Sequence, residues 1–209
     1  WLCTIMDTNN KTNTKENNML SKMSGKLEGI QAINTNTLSN RYCLSHSETS
    51  SICGQCYSFN MLKTFRKNCV PKFERNSQKL SSRLLKSYEI PEITTKVCRL
   101  NAHGELINSI NAQNYLLIAR SQPHVTFTLW TKRKRLIQRI LKIYGKPDNL
   151  ILVYSNPIID EILTEVPEYF DKVFNVVTRG KTNCYGKCID CLMCYDVDNK
   201  TEIIIEEIK

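Results

Sequence analysis

At 209 residues, 41 % of them hydrophobic, the chain is long enough to bury one sizeable core and too short for two comfortable ones. It therefore needs no disulfide staples to fold, and no window reaches the roughly eighteen consecutive apolar residues of a membrane span, so no membrane partner is expected. The formal charge of +9 favours anionic partners, nucleic acid foremost, although ordinary solubility charge explains it equally well.

Residues 1–20, "WLCTIMDTNNKTNTKENNML", are dominated by Asn, Thr and Lys and read as a flexible arm ahead of a single domain over 21–209. The opening has no basic stretch followed by an apolar core of secretory type, so a reducing cytoplasm is the expected compartment. Residues 21–60 read as loop-rich. From Pro71 to Tyr88 the spacing of Phe73, Leu80, Leu84, Leu85 and Tyr88 predicts a helix.

Beyond that point the pattern is regular. "KVCRLNA" (96–102) predicts a strand, "AQNYLLIARS" (112–121) a helix, and "VTFTLWT" (125–131) a second strand. "TKRKRLIQRILK" (131–142) carries Leu136, Ile137, Ile140 and Leu141 at helical spacing and predicts an amphipathic helix with a basic outer face, running to Tyr144. "NLILVYS" (149–155) is a third strand. "PIIDEILTEV" (157–166) places proline at a first helical turn, and "KVFNVVT" (172–178) is a fourth strand. Strand starts near 96, 125, 149 and 172 recur every 23 to 29 residues. Strands alternating with helices at that spacing imply βαβ crossovers and a parallel sheet. The expected fold is therefore α/β, with parallel βα repeats forming an incomplete TIM-like barrel or an open sheet.

Parallel strands end on one face, and ligands bind there in such folds. The residues just past the strands are His103 and Glu105, then Lys132, then Ser155, then Arg179. They are the candidate site: His103, Glu105 and Lys132 for acid–base or electrostatic work, Ser155 and Arg179 for holding a ligand.

Two cysteine groups flank the regular part, giving Cys-rich loops at both ends of the domain. One is Cys43, Cys53 and Cys56; the other is "NCYGKCIDCLMCYD" (183–196), with Cys184, Cys188, Cys191 and Cys194 spaced x3, x2, x2. Short spacings let the chain wrap so that successive sulfurs reach one centre, about 2.3 Å from each for zinc. Disulfides, tetrahedral zinc and a [4Fe–4S] cluster all remain open, with metal ligation favoured in a reducing compartment. Zinc usually takes two separated Cys-x2-Cys knuckles, whereas three tandem spacings look more like a ferredoxin run. On topology alone the terminal cysteines are expected near the same strand-end rim as His103 and Glu105.

The blocks "KMSGKLEG", "NTNTLSNRYCLSH", "CGQCYS", "RLNAHGELINSINAQNYLLIARSQPHVTFTLWTK", "NLILVYSNP" and "CYGKCIDCLMC" together resemble the bacteriophage "gene product 88" domain family, from about Lys22 to Asp196. Membership would imply a reduced, radical S-adenosylmethionine-like barrel, an iron–sulfur cluster, and a viral protein acting in the cytoplasm of an infected host cell. It supplies no activity. His103-Gly104-Glu105 stands where the family usually has Ser-Gly-Asp, keeping the acid in kind and placing an imidazole where a hydroxyl is usual. The Cys-x3-Cys-x2-Cys unit follows the last predicted strand, whereas in radical enzymes it follows the first. The expectation is thus a [4Fe–4S] protein with a small-molecule or redox partner; the alternative is a zinc-stabilised basic module that binds nucleic acid.

Overall fold

The computed structural model describes residues 19–208. Seven strands form one sheet in sequence order: β1 (Leu20–Lys22), β2 (Gln31–Ile33), β3 (Val97–Leu100), β4 (Thr126–Thr131), β5 (Leu150–Ile159), β6 (Lys172–Val177) and β7 (Ile203–Glu207). Only the β1–β2 pair is antiparallel; every later pair is parallel. The helices are α1 (Arg41–Ser45), α2 (Tyr57–Lys63), α3 (Val70–Ser82), α4 (Ser109–Arg120), α5 (Lys134–Tyr144) and α6 (Cys188–Cys191).

Strands laid down in sequence order by right-handed crossovers put their connecting helices on one face. The larger core lies there: Cys98, Leu100, Phe127, Leu129, Leu150 and Leu152 of the sheet pack with Leu80 of α3, Tyr115 and Ile118 of α4, and Ile137 and Ile140 of α5. Each fully buried Leu, Ile or Phe contributes about 1.5–3 kcal/mol there. On α5 the expected division holds, with Arg135, Arg139 and Lys142 exposed opposite the buried apolar stripe.

Among the described residues, the opposite face has no long helix. Its residues Val97, Ile151, Val153, Phe174, Val176 and Ile204 are covered by the segment between β6 and β7, which contributes Cys184, Cys188, Leu192, Met193, Cys194 and Tyr195. The sheet is also rolled about that face. Lys26, in the turn between β1 and β2, donates to Glu206 of β7 at 2.6 Å. Five spacings of about 4.8 Å would hold β2 and β7 farther apart in a flat sheet than two side chains can span. The two edges approach without pairing, so the sheet is curved and open.

Four expectations are corrected. The segment 21–60 is not merely loop: it carries β1, β2, α1 and α2. Of the arm expected over 1–20, residues 1–18 lie outside the described residues, but Met19 is buried and Leu20 opens β1. The helix expected from 157 does not form, because β5 continues through Ile159 past a register irregularity. Side chains then claim the following backbone: Asn175 accepts from Leu163 N at 3.0 Å and donates to its carbonyl at 3.1 Å, and Asn156 Nδ2 donates to Glu161 O at 2.8 Å. The helix expected to Tyr88 stops at Ser82, where Asn114 Nδ2 donates to the carbonyls of Leu80 and Arg83, both at 2.8 Å, and ends the run.

Candidate metal centre

The sequence divides the seven thiols into two groups and expects the terminal one at the strand-end rim; the structure keeps the two groups but sets the terminal one over the other face of the sheet. The upstream group belongs to the strand-end rim. Asn40 caps α1 by accepting from Tyr42 N and Cys43 N, and its Nδ2 donates to Glu105 O at 2.8 Å, tying the cysteine loop to the end of β3. Gly104 makes that approach possible: its φ is +86°, and a Cβ there would meet Thr35 Oγ1 at 2.0 Å. Burial pushes the Cys43 and Cys53 thiols up, with Glu105 and Cys56 adding to that direction and Lys132 opposing it.

Of the predicted rim residues, Glu105, Lys132 and Ser155 meet. The Glu105 carboxylate accepts from Thr131 Oγ1 at 2.5 Å, Leu106 N at 2.7 Å and Lys132 N at 2.8 Å, so its lone pairs bind β4's end to β3's. Lys132 Nζ donates to Ser155 Oγ at 3.1 Å. His103 turns inward instead, against Phe73 and Tyr57, with Nδ1 2.7 Å from Ser58 Oγ and Nε2 3.4 Å from Arg66 Nη1. Arginine can only donate, so Nε2 accepts and Nδ1 carries the proton toward Ser58. Burial, with Arg66 and Arg99 nearby, lowers the His103 pKa to about 4 and keeps the ring neutral. Arg179 is exposed, and no hydrogen bond or ion pair ties it to this group among the described residues.

The terminal group lies over the concave face. Cys184, Cys188, Cys191 and Cys194 line one small, partly open recess together with Lys26, Leu192, Met193 and Tyr195. The local chain shape brings them there. Gly186 at φ +76° and Leu192 at φ +50° turn the backbone on either side of the single turn α6, and Leu192 N donates to Cys188 O at 2.9 Å. Lys26 Nζ donates to Cys184 Sγ at 3.1 Å. Burial works against the Lys26 charge, but hydrogen bonds to Glu206 and Cys184 outweigh it and raise its pKa. Burial raises the thiols of Cys184 and Cys188 and pushes Cys194 up to about 12, with Arg99 pulling Cys188 and Cys194 the other way. Without a ligand these three sulfurs are therefore neutral thiols at pH 7, and metal binding there would release protons.

Sequence reasoning did not anticipate Arg99, Lys26 or Glu206 beside the terminal cysteines. An arginine inside the otherwise apolar run "KVCRL" is the one signal that points to the first of them.

Among the described residues, no three His, Cys, Asp or Glu side chains stand close enough to hold one metal ion as placed. A four-thiolate centre fits this recess in the kind and number of its donors. Beneath it, the buried Arg99 Nε, Thr128 Oγ1 and Trp130 Nε1 have no hydrogen-bond partner among the described residues. Drawing the sulfurs together would require the 184–194 segment to close by side-chain and loop adjustment.

Among the described residues, no helix is long and apolar enough to cross a membrane. A family model described as "Gene product 88" matches residues 4–183. No curated protein and no solved structure matches the chain.

Proposed function

The chain belongs to the phage gene product 88 family, and from that premise we propose that it is an iron–sulfur protein whose [4Fe–4S] cluster is held by Cys184, Cys188, Cys191 and Cys194. One observation carries the reading: four thiols from an eleven-residue segment line a single recess. Four cysteines saturate a cubane cluster, and such a centre stores or passes electrons without binding substrate at iron. The work of the chain's own residues would be to seal the recess with Leu192, Met193 and Tyr195 and to set positive charge beside the sulfurs through Lys26 and Arg99. The partner in this reading is a redox protein or small redox molecule in the cytoplasm of the infected host. The strand-end group of Glu105, Lys132 and Ser155, with Cys43, Cys53 and Cys56 beside it, would serve as the docking place for a small anionic substrate, Lys132 supplying the charge.

The same reading takes the fold as an incomplete barrel. Sequential parallel strands, helices on one face and the Lys26–Glu206 bridge between distant strands support it, and the cysteine segment fills the concave side where a closed barrel packs its interior side chains.

The test is anaerobic purification followed by a visible spectrum and a count of iron and sulfide per chain. A brown protein with about four irons is expected, with iron lost on changing Cys184, Cys188, Cys191 or Cys194 to Ser and retained when Cys43, Cys53 or Cys56 is changed. Iron lost only from the upstream variants would transfer the cluster to the strand ends. A colourless protein holding one zinc per chain would favour the second reading, a zinc-stabilised module that binds nucleic acid. The exposed Arg135, Arg139 and Lys142 on α5 give that reading a surface, and salt-dependent retention on DNA is its signature.

A further inference from the structure

Arg99 lies in the middle of β3, only 8 % exposed, on the sheet face that the terminal cysteines cover. Its guanidinium stacks on the Trp130 ring, 3.8 Å from the centroid, and Nη1 donates to Tyr195 Oη at 3.2 Å. That is incomplete satisfaction for a buried fixed charge. Among the described residues, Nε has no acceptor and no carboxylate lies within ion-pair distance. Thr128, the register partner of Arg99, and Trp130 leave a hydroxyl and an indole N–H without a partner among the described residues on the same face. Burying a guanidinium without a counter-charge is strongly unfavourable, and chains that keep such a group usually set an anion against it. The nearby sulfurs on which its charge acts are Cys188 and Cys194. As thiols they offer no charge; as metal-bound thiolates they would.

We propose that Arg99 is the buried counter-charge of a thiolate-held metal centre in this recess, and that its guanidinium strengthens metal binding by neutralising the ligating sulfurs. The inference rests on the reading that Cys184, Cys188, Cys191 and Cys194 hold a metal, and it adds a residue outside the ligand set. Arg99 is a positioning and electrostatic residue here, not a ligand. The bland reading is that it only glues Trp130 to Tyr195, and the two differ in what happens to the metal-free protein. A structural arginine stabilises the empty fold; an uncompensated one burdens it.

The experiment titrates the metal-free chain with Co(II) under argon, following thiolate-to-cobalt absorption, for wild type, Arg99→Met and Arg99→Lys, and melts each metal-free form. Arg99→Met is expected to bind cobalt about 10- to 100-fold more weakly, as loss of outer partners of metal ligands commonly does. Its metal-free melting temperature should equal or exceed that of wild type, and Arg99→Lys should recover most of the affinity. Equal affinity in wild type and Arg99→Met overturns the counter-charge role alone, as does a lysine variant as weak as the methionine one. A metal-free Arg99→Met that melts well below wild type assigns Arg99 to packing instead. Wild type that takes up no cobalt overturns the metal reading itself, and this inference with it.

Discussion

His103 illustrates how a residue beside a candidate site can be diverted from chemistry by its neighbours. Its ring is packed between Phe73 and Tyr57 and flanked by Arg66, so protonation would bury a cation next to another one. With a pKa near 4 in the fold against 6.5 in the open chain, the unfolded state binds the proton first as pH falls. Stability from this residue is complete above pH 6.5 and drains away between 6.5 and 4, by roughly 3 kcal/mol. Urea unfolding of wild type across that window should therefore show a falling free energy. His103→Gln should flatten the slope at a small cost at pH 7. Glu105 is diverted in a different way: three donors occupy its carboxylate, so it braces the end of β4 from the end of β3.

At the scale of elements, one side chain decides where a helix stops. Asn114 sits in α4, buried, and serves three backbone groups of the preceding connection: the carbonyls of Leu80 and Arg83, and Leu85 N at 2.8 Å. Two orphan carbonyls at the end of α3 are thereby satisfied from a neighbouring element. Replacing Asn114 by Ala strands them in the core, and a loss of about 2–4 kcal/mol is expected in chemical denaturation, with Asn114→Asp losing nearly as much because it can no longer donate. The apolar spacing through Leu84, Leu85 and Tyr88 had promised a longer helix. Periodicity reports which side chains seek a core; it does not report a capping group that arrives from thirty residues away in sequence. The segment after β5 makes the same point, since Asn156 and Asn175 hold 161–163 in a non-helical path that local pattern would not choose. Strands of three residues, β1 and β2, are too short to show any alternation, and they were invisible for that reason.

At the scale of the molecule, the sheet is asymmetric: among the described residues, helices cover one face and the cysteine segment is the principal cover of the other. If that segment closes on a metal centre, the centre binds only the folded form and adds stability by mass action, about 3 kcal/mol when free ligand is a hundredfold above its dissociation constant. The added protection should be local. Hydrogen exchange on metal-loaded and metal-stripped protein is expected to slow in β6, β7 and residues 184–195 on loading, with α4 and α5 unchanged. Uniform slowing would instead mean that the segment is coupled to the whole core.

The four central parallel strands, the helices α4 and α5 and the basic outer face of α5 were legible in the residues themselves, because each rests on a repeat that local sterics and burial convert directly into structure. So was the family, carried by the order of its blocks. The division of the cysteines into an upstream and a terminal group was legible in their spacing; the placement of the terminal group was not, because the roll of the sheet decides on which side it lies. That roll, together with the meeting of Lys26, Arg99 and Glu206 with the terminal thiols, depends on contacts between residues as far apart as 180 positions, and only the folded chain brings these together.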